Sequence, residues 1–134
     1  TKEVDVNIVE NGYIPHWRIP EAIRDCHVGL FLENRFSITF HTPGVPLEYW
    51  SCSRPVVITE EVANKRHIKP HIKEGINAFI VKSCPILPTE LADKIMEAKE
   101  SVLSNPHIEP TIDASLMSLN KKKQLREFLE LISK

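Results

Sequence analysis

The chain has 134 residues, of which 42% are apolar, and its 17 basic and 18 acidic side chains give a formal net charge of −1. This length and composition suit a single domain spanning residues 1–134 and exclude an intrinsically disordered chain. The balanced charge argues against nucleic acid as a partner, and no apolar run approaches the roughly 20 residues of a transmembrane segment. The first residues lack the basic and apolar parts of a signal peptide, so we expect a cytoplasmic protein.

The first half of the chain alternates apolar runs with helical patterns. A strand is predicted at residues 4–9, and a short amphipathic helix follows at residues 19–23. A second strand is predicted at residues 28–32, and the next short helix, around residues 47–50, carries Glu48.

The second half begins with two further strands, predicted at residues 55–59 and 77–81. A long amphipathic helix is then predicted from an N-cap at Thr89 to about Asn105, because its apolar residues recur at helical spacing. A last apolar stripe predicts a terminal helix within residues 120–134, with a run of lysines as its solvated start.

These elements predict an α/β fold, a Rossmann-like parallel sheet with flanking helices. The middle strands are apolar at nearly every position, as in strands covered on both faces, and the intervals between strands are long enough for helical crossovers. Four strands make a small sheet for a doubly wound fold. Together with the missing initiator Met, this size suggests a part of a longer protein.

The cysteines and histidines do not predict a metal site. Cys26, Cys52 and Cys84 are widely spaced and include no C-x-x-C pair, so we interpret each as a small buried or half-buried apolar residue. His67 and His71 have the i, i+4 spacing of a chelating pair on a helix, but a proline between them argues against that helix.

Residues 42–57 contain the most informative carboxylate of the chain, because Glu48 follows a Gly/Pro turn and lies near the start of a short helix. Unpaired N–H groups at such a helix start attract phosphate oxygens, and a carboxylate one turn further accepts hydrogen bonds from sugar hydroxyls. The segment therefore fits a nucleotide held by phosphate and ribose. The alternative is that Glu48 only complements the positive end of the helix dipole.

Ligands of parallel α/β sheets bind beyond the carboxyl ends of the strands, so the loops at those ends are candidate contacts. Tyr13 and Ile14 follow the first predicted strand and offer surfaces to a planar base. The long loop after the second strand contains Arg35, a cation suited to a diphosphate, and an acidic segment at residues 60–62 follows the third.

The sequence lacks a G-x-G-x-x-G fingerprint, a phosphate-binding G-x-x-x-x-G-K-[ST] loop and a G-x-S-x-G elbow. A self-contained dinucleotide enzyme, a phosphate-loop nucleotidase and a serine hydrolase are thus disfavoured. A nucleophile pair of Cys52 with His41 stays open but is not favoured, because Cys52 lies at a helix-to-strand junction.

Five segments in order resemble the C-terminal domain of GT-B glycosyltransferases of the group 1, family 4 type. They are residues 12–15, 19–30, 46–59, 75–81 and 91–95, so the likeness covers nearly the whole chain. The resemblance implies a domain that binds a nucleotide-sugar donor, while a separate N-terminal domain or partner chain supplies most of the acceptor site.

The resemblance also implies roles for individual residues. Glu48 matches the glutamate that receives the ribose hydroxyls, and Tyr13 and Ile14 match the loop against the base. The loop whose amides face the diphosphate corresponds to residues 41–45, with His41, Thr42, Gly44 and Val45 as its candidates.

The chain also departs from the family pattern. Phe40 stands where family members often carry a second glutamate, and Asn77-Ala78 replaces a usual Asn-Gly. The loop that precedes the Glu48 helix is also longer than the commonest family version.

The leading hypothesis is transfer of a sugar from a nucleotide-diphosphate donor to an unidentified sugar or glycan acceptor. Helix N-terminal amides and Arg35 would stabilise the leaving diphosphate, so neither a metal nor a cofactor is expected. The catalytic residues stay unidentified, because a base would lie on the other half. The alternative is a non-catalytic binding module that acts through a partner chain; a flavodoxin-like or receiver-like domain is disfavoured, because the loop after the first strand lacks an acidic cluster.

Overall fold

The computed structural model describes residues 8–35 and 43–105, together with residues 126, 129–131 and 133. Three strands form one parallel sheet in the order β1-β2-β3, and they are β1 (Gly29–Phe31), β2 (Val56–Thr59) and β3 (Ala78–Val81). Three of the four predicted strands are therefore confirmed, and so is a small parallel α/β sheet with flanking helices.

The described part of the chain also contains four α-helices, and they are α1 (Ile19–Arg24), α2 (Val45–Ser51), α3 (Glu60–Ala63) and α4 (Pro88–Ser104). Two 3₁₀ turns, at His16–Arg18 and Lys69–His71, complete the described elements. Helices α2 and α3 pack on one face of the sheet and α4 packs on the other, because residues of each helix join the core of that face only. The helices therefore enclose the central strand between two layers.

Strand β2 is buried at all four positions, which explains its continuous apolar run. Successive side chains of a strand point to opposite faces, and β2 follows this rule. Val56 and Ile58 pack with Trp50, Val62 and Ile68 below α2 and α3. On the opposite face the core consists of Val57, Phe79, Val81 and Ala98, with Leu91 and Ile95 of α4 packed against them.

The buried indole of Trp50 connects α2 to the turn that begins β3. Its Nε1 donates a hydrogen bond of 2.8 Å to the carbonyl oxygen of Asn77, and the side chain is 1% exposed. The Asn77 amide side chain in turn accepts from the Lys73 amide and donates to the His71 carbonyl, at 2.8 Å each. Because Asn77 precedes β3 directly, this network fixes where β3 starts.

Helix α2 ends in a Schellman motif, in which Ser53 has the left-handed φ of 60°. The Arg54 amide donates to the Tyr49 carbonyl at 2.9 Å, and the Ser53 amide donates to the Trp50 carbonyl at 3.2 Å. These two bonds satisfy carbonyls that the helix end leaves open. The motif turns the chain sharply from α2 into β2.

Arg54 then joins this turn to the segment that precedes β1. Its Nε donates to the Cys26 carbonyl at 2.7 Å, and its Nη2 donates to the Arg24 carbonyl at 2.8 Å. These contacts hold the connections that enter the amino ends of β1 and β2.

Tyr49 packs against Gly29 at the first residue of β1. A Cβ atom at position 29 would lie 2.5 Å from Cε1 of the Tyr49 ring, closer than carbon atoms approach in proteins. Gly29 is therefore required by this close approach. Because Tyr49 belongs to the last turn of α2, the helix runs antiparallel to β1, and its N-terminus points toward the carboxyl ends of the strands.

Two sequence predictions are corrected at their ends. Ile8 and Val9, the described end of the strand predicted at 4–9, lie outside any strand and are exposed, because an apolar run alone does not supply a pairing partner. Helix α4 begins at Pro88, with Leu87 rather than Thr89 as its N-cap, because the fixed φ of proline suits a first helical residue.

The end of α4 after Ser104 agrees with the prediction at Asn105. Of the terminal helix predicted at 120–134, residues 126 and 129–131 are helical, and the others apart from residue 133 lie outside the described residues. No helix in the described ranges is both long enough and apolar enough to cross a bilayer.

The substitution Trp50→Phe tests the network at the start of β3. It leaves the buried Asn77 carbonyl without the indole donor and removes buried volume, so we expect a loss of about 2–4 kcal/mol in the free energy of unfolding. Urea denaturation followed by circular dichroism measures it. Trp17→Phe is the matched control, because Trp17 is 80% exposed, and it should change stability by less than about 0.5 kcal/mol.

The substitution Ser53→Gly tests the Schellman motif and should increase stability, in contrast to Trp50→Phe. Glycine adopts a positive φ without the steric cost that serine bears, so we expect a gain of about 0.5–1 kcal/mol. A rise in the thermal unfolding midpoint would confirm it. A fall would show that the serine side chain outweighs the backbone cost.

Candidate functional site

The candidate site lies where the three parallel strands end, because crossover loops and helix starts meet there. Residues 33–35 follow β1, α3 starts directly after β2, and residues 82–87 connect β3 to α4. In the structure, side chains from the second and third of these connections contact residues 33–35. The convergence occurs at the end of the sheet that the sequence predicted.

Glu33 is held from the β2 side by two contacts. The Thr59 Oγ1 donates to its carbonyl oxygen at 2.6 Å, and the Lys65 Nζ lies 3.4 Å from its Oε1. The Lys65 and Glu33 side chains are 7% and 9% exposed, so this is a buried ion pair. Such a pair stays bound because loss of either partner leaves a charge in the interior.

Asn34 and Arg35 are held from both neighbouring connections. The Arg35 amide donates to the Glu61 carboxylate at 3.0 Å, and the Cys84 thiol donates to the Asn34 side-chain oxygen at 3.2 Å. Hydrogen bonding and charge interaction with Cys84 raise the pKa of the Arg35 guanidinium, so this group stays cationic. Arg35 itself is exposed and has the left-handed φ of 55°.

Glu48 lies in the first turn of α2 and is half-buried. Its amide donates to the Gly44 carbonyl at 3.0 Å, and its own carbonyl accepts from the Ser51 hydroxyl at 2.7 Å. Within residues 8–35 and 43–105 its carboxylate has no hydrogen bond or ion pair. The carboxylate is thus free of the described protein groups on the helix that points toward the carboxyl ends of the strands.

Tyr13 and Ile14 line a different depression, an open cavity of about 360 Å³ beside α1. Its other lining residues are Asn11, Pro15, Arg18, Glu21, Ala22 and Asp25. Arg18 and Glu21 form an exposed ion pair there, with 3.6 Å between Nε and Oε2. The cavity reaches Asp25, beside the Cys26 carbonyl that Arg54 holds at the amino ends of the strands.

The predicted site residues therefore fall into separate places. Gly44 is the N-cap of α2 and Val45 its first residue, on the same helix as Glu48. The cavity that Tyr13 and Ile14 share is not lined by any of these three residues or by Arg35. His41 and Thr42 lie outside the described residues.

No group of three or more His, Cys, Asp or Glu side chains in the described ranges is arranged to hold a metal ion. The histidine pair considered from the sequence does not share a helix, since His71 ends a 3₁₀ turn and His67 precedes that turn.

Sequence reasoning missed Lys65 and Cys84, the residues that hold Glu33 and Asn34. Lys65 follows α3 and Cys84 follows β3, and neither position carries a pattern that marks it as buried or as part of a site. Lys65 lies between Asn64 and Arg66, so its local sequence is that of an exposed polar segment and gives no signal of burial. The acidic segment that contains Glu61 was recognised, but its contact with Arg35 was not.

Comparison with known proteins gives no match to a family model, a curated protein or a solved structure. The likeness to GT-B glycosyltransferases therefore stays a prediction.

The substitution Lys65→Met tests the buried ion pair. It leaves the Glu33 carboxylate in the interior without its lysine, and we expect a loss of about 3–5 kcal/mol in the free energy of unfolding. Chemical denaturation measures the loss, and Glu33→Leu added to Lys65→Met should recover part of it. Lys94→Met is the matched control, because the Lys94–Glu97 pair has a similar 3.5 Å separation with side chains 30% and 54% exposed.

The control should cost less than about 1 kcal/mol, as exposed pairs do. Equal losses in the two single variants would contradict a special role of burial at Lys65.

Proposed function

We propose that this chain binds the nucleotide-diphosphate sugar donor of a glycosyltransferase, as the donor-binding half of a GT-B fold. The observation that carries the proposal is Arg35, an exposed cation held on a left-handed backbone at the carboxyl end of a parallel sheet. A residue kept in a sparsely populated conformation by its surroundings is a reasonable candidate for function.

The diphosphate group requires positive charge that is not already neutralised. The Arg35 side chain is exposed, and interaction with Cys84 raises the pKa of its guanidinium, so the group presents a positive charge where the strands end. The nearby Glu61 carboxylate accepts a hydrogen bond from the Arg35 amide. The N–H groups of Val45 and Leu47, in the first turn of α2, lack helical acceptors and support the same ligand.

Glu48 supports the ribose assignment. Its carboxylate has no described protein partner, and it follows the first residues of α2 on the side where the strands end. A carboxylate accepts hydrogen bonds from both hydroxyls of a ribose without needing a proton of its own. The cavity that Tyr13 and Ile14 line lies toward the amino ends of the strands, so the proposed site does not include a base contact from these two residues.

In this proposal the chain stabilises the leaving diphosphate, while the acceptor and any catalytic base are bound by another domain or chain. Arg35 and the amides of α2 would act on the charge that develops as the bond from sugar to phosphate breaks. No nucleophile of this chain takes part in the step.

The alternative of a non-catalytic binding module draws support from exposed apolar side chains near the start of the described chain. Ile8, Val9, Tyr13 and Trp17 are 67–88% exposed, which fits a surface that another domain or chain covers. A sugar-transfer assay on the complete gene product separates the two proposals. Transfer supports the glycosyltransferase, and nucleotide binding without transfer supports the module.

Isothermal titration with uridine and guanosine diphosphates tests the proposed donor site. We expect at least one of the two nucleotides to bind. Glu48→Ala should lower its affinity about 10- to 100-fold, because hydrogen bonds to a charged group contribute about 1.5–3 kcal/mol. The 2′,3′-dideoxy form of that nucleotide should bind Glu48→Ala and the unmodified chain with similar affinity. Glu100→Ala, an exposed change on α4, is the charge-matched control.

Absence of heat with both nucleotides would count against the donor site. Unchanged affinity in Glu48→Ala would count against the ribose contact alone.

A further inference from the structure

Arg35 has a backbone conformation that L-residues other than asparagine and aspartate seldom adopt. Its φ of 55° places it in the left-handed region, where a side chain crowds the neighbouring carbonyl. Surrounding contacts must therefore hold this conformation against a more extended alternative. The position of the Arg35 guanidinium depends on whatever supplies those contacts.

Glu61 is the residue that binds this part of the backbone. One of its carboxylate oxygens accepts the Arg35 amide at 3.0 Å, a bond strengthened by the negative charge of the acceptor. Glu61 is half-buried in the first turn of α3. Thr59 caps that turn, with the Val62 amide donating to its Oγ1, and donates to the Glu33 carbonyl at 2.6 Å.

The two strand ends are thus tied together around Arg35. Thr59 binds the carbonyl of Glu33, two positions before Arg35, and Glu61 binds the Arg35 amide. On the other side the Cys84 thiol donates to the Asn34 side-chain oxygen at 3.2 Å. The hydrogen bond between the Arg35 amide and the Glu61 carboxylate fixes the backbone of Arg35, and the exposed side chain extends from this fixed backbone.

We propose that Glu61 is a positioning residue, which fixes the left-handed backbone of Arg35 and so presents the guanidinium to the diphosphate of a bound nucleotide. This inference rests on the proposed function, since Arg35 is there the diphosphate contact. In this role Glu61 does not touch the ligand and acts through its hydrogen bond from the Arg35 amide.

Simple electrostatics makes the opposite prediction for Glu61. A carboxylate close to a phosphate site repels the ligand, so removal of its charge should strengthen binding. The positioning role depends instead on an acceptor oxygen at the right reach, whether or not that oxygen is charged. Two conservative substitutions separate these effects.

Glu61→Gln removes the charge but keeps an oxygen at the same reach, whereas Glu61→Asp keeps the charge but withdraws the oxygen by one methylene. Aspartate is favourable in the first turn of a helix, so Glu61→Asp should retain α3. We expect Glu61→Gln to bind uridine or guanosine diphosphate within about twofold of the unmodified chain. Glu61→Asp should lower the affinity for the same nucleotide about 5- to 20-fold. The affinity of this variant should also depend less on salt concentration than that of the unmodified chain.

The decisive measurement is a double-mutant cycle with Arg35→Ala, read by isothermal titration on the full 134-residue chain. Arg35→Ala alone should weaken binding at least as much as Glu61→Asp. In the Arg35→Ala background, Glu61→Asp should have no further effect. Glu60→Asp, the same change at the exposed neighbouring position, is the control and should leave affinity unchanged.

The outcomes distinguish the two proposals. If the unmodified chain binds neither nucleotide, the proposed function falls and this inference falls with it. If it binds but Glu61→Asp matches the unmodified chain, or still weakens binding without Arg35, the positioning role is overturned and the donor site stands. A loss in Glu61→Gln as large as in Glu61→Asp also overturns it, because the acceptor oxygen is then not what matters.

Discussion

The hydrogen bond from the Trp50 indole to the Asn77 carbonyl is the constraint on which the sheet depends. The same carbonyl accepts the Val56 amide at 3.0 Å, so one oxygen joins the helix above the sheet, the central strand and the start of β3. Because β2 is fully buried and has only four residues, it has little length over which to correct a register error. The position of every carboxyl end, and therefore of the candidate site, follows from this junction.

The two ends of the sheet are built differently. At the amino ends, Arg54 donates to backbone carbonyls of the segment before β1, and Tyr49 closes over Gly29, so the contacts are short and local to the helix-to-strand turns. At the carboxyl ends, side chains from separate crossovers reach residues 33–35, including a buried ion pair. The contacts at the amino ends stabilise chain reversals. Those at the carboxyl ends hold the exposed Arg35 in a backbone conformation that its local sequence does not favour.

The sequence predicted most of the sheet because its signal is physical and local. Runs apolar at nearly every position predicted β1, β2 and β3, and helical spacing predicted α4, because buried strands and amphipathic helices leave such patterns directly. The candidate site was predictable only in location. Arg35 and Glu48 are recognisable as charges after a strand or at a helix start, but the ion pair of Lys65 with Glu33 joins residues 32 positions apart and depends on tertiary packing. Ile8 and Val9 lie outside any strand for the complementary reason, because a strand also needs a neighbour.

The placement of the three thiols has a practical consequence for following this protein in solution. Cys52 is buried as expected from the sequence, but Cys26 and Cys84 are exposed, against that expectation. Cys26 lies near the amino ends of the strands, and Cys84 lies near their carboxyl ends beside Arg35. A thiol reagent added to the folded chain therefore reaches opposite ends of the sheet and spares the buried Cys52. A fluorophore on Cys84 would replace the thiol hydrogen bond to Asn34 and sense changes around the guanidinium, and one on Cys26 would provide an internal reference some distance away. The native cysteines thus already form a reporter pair for ligand arrival, and no engineered labelling site is needed.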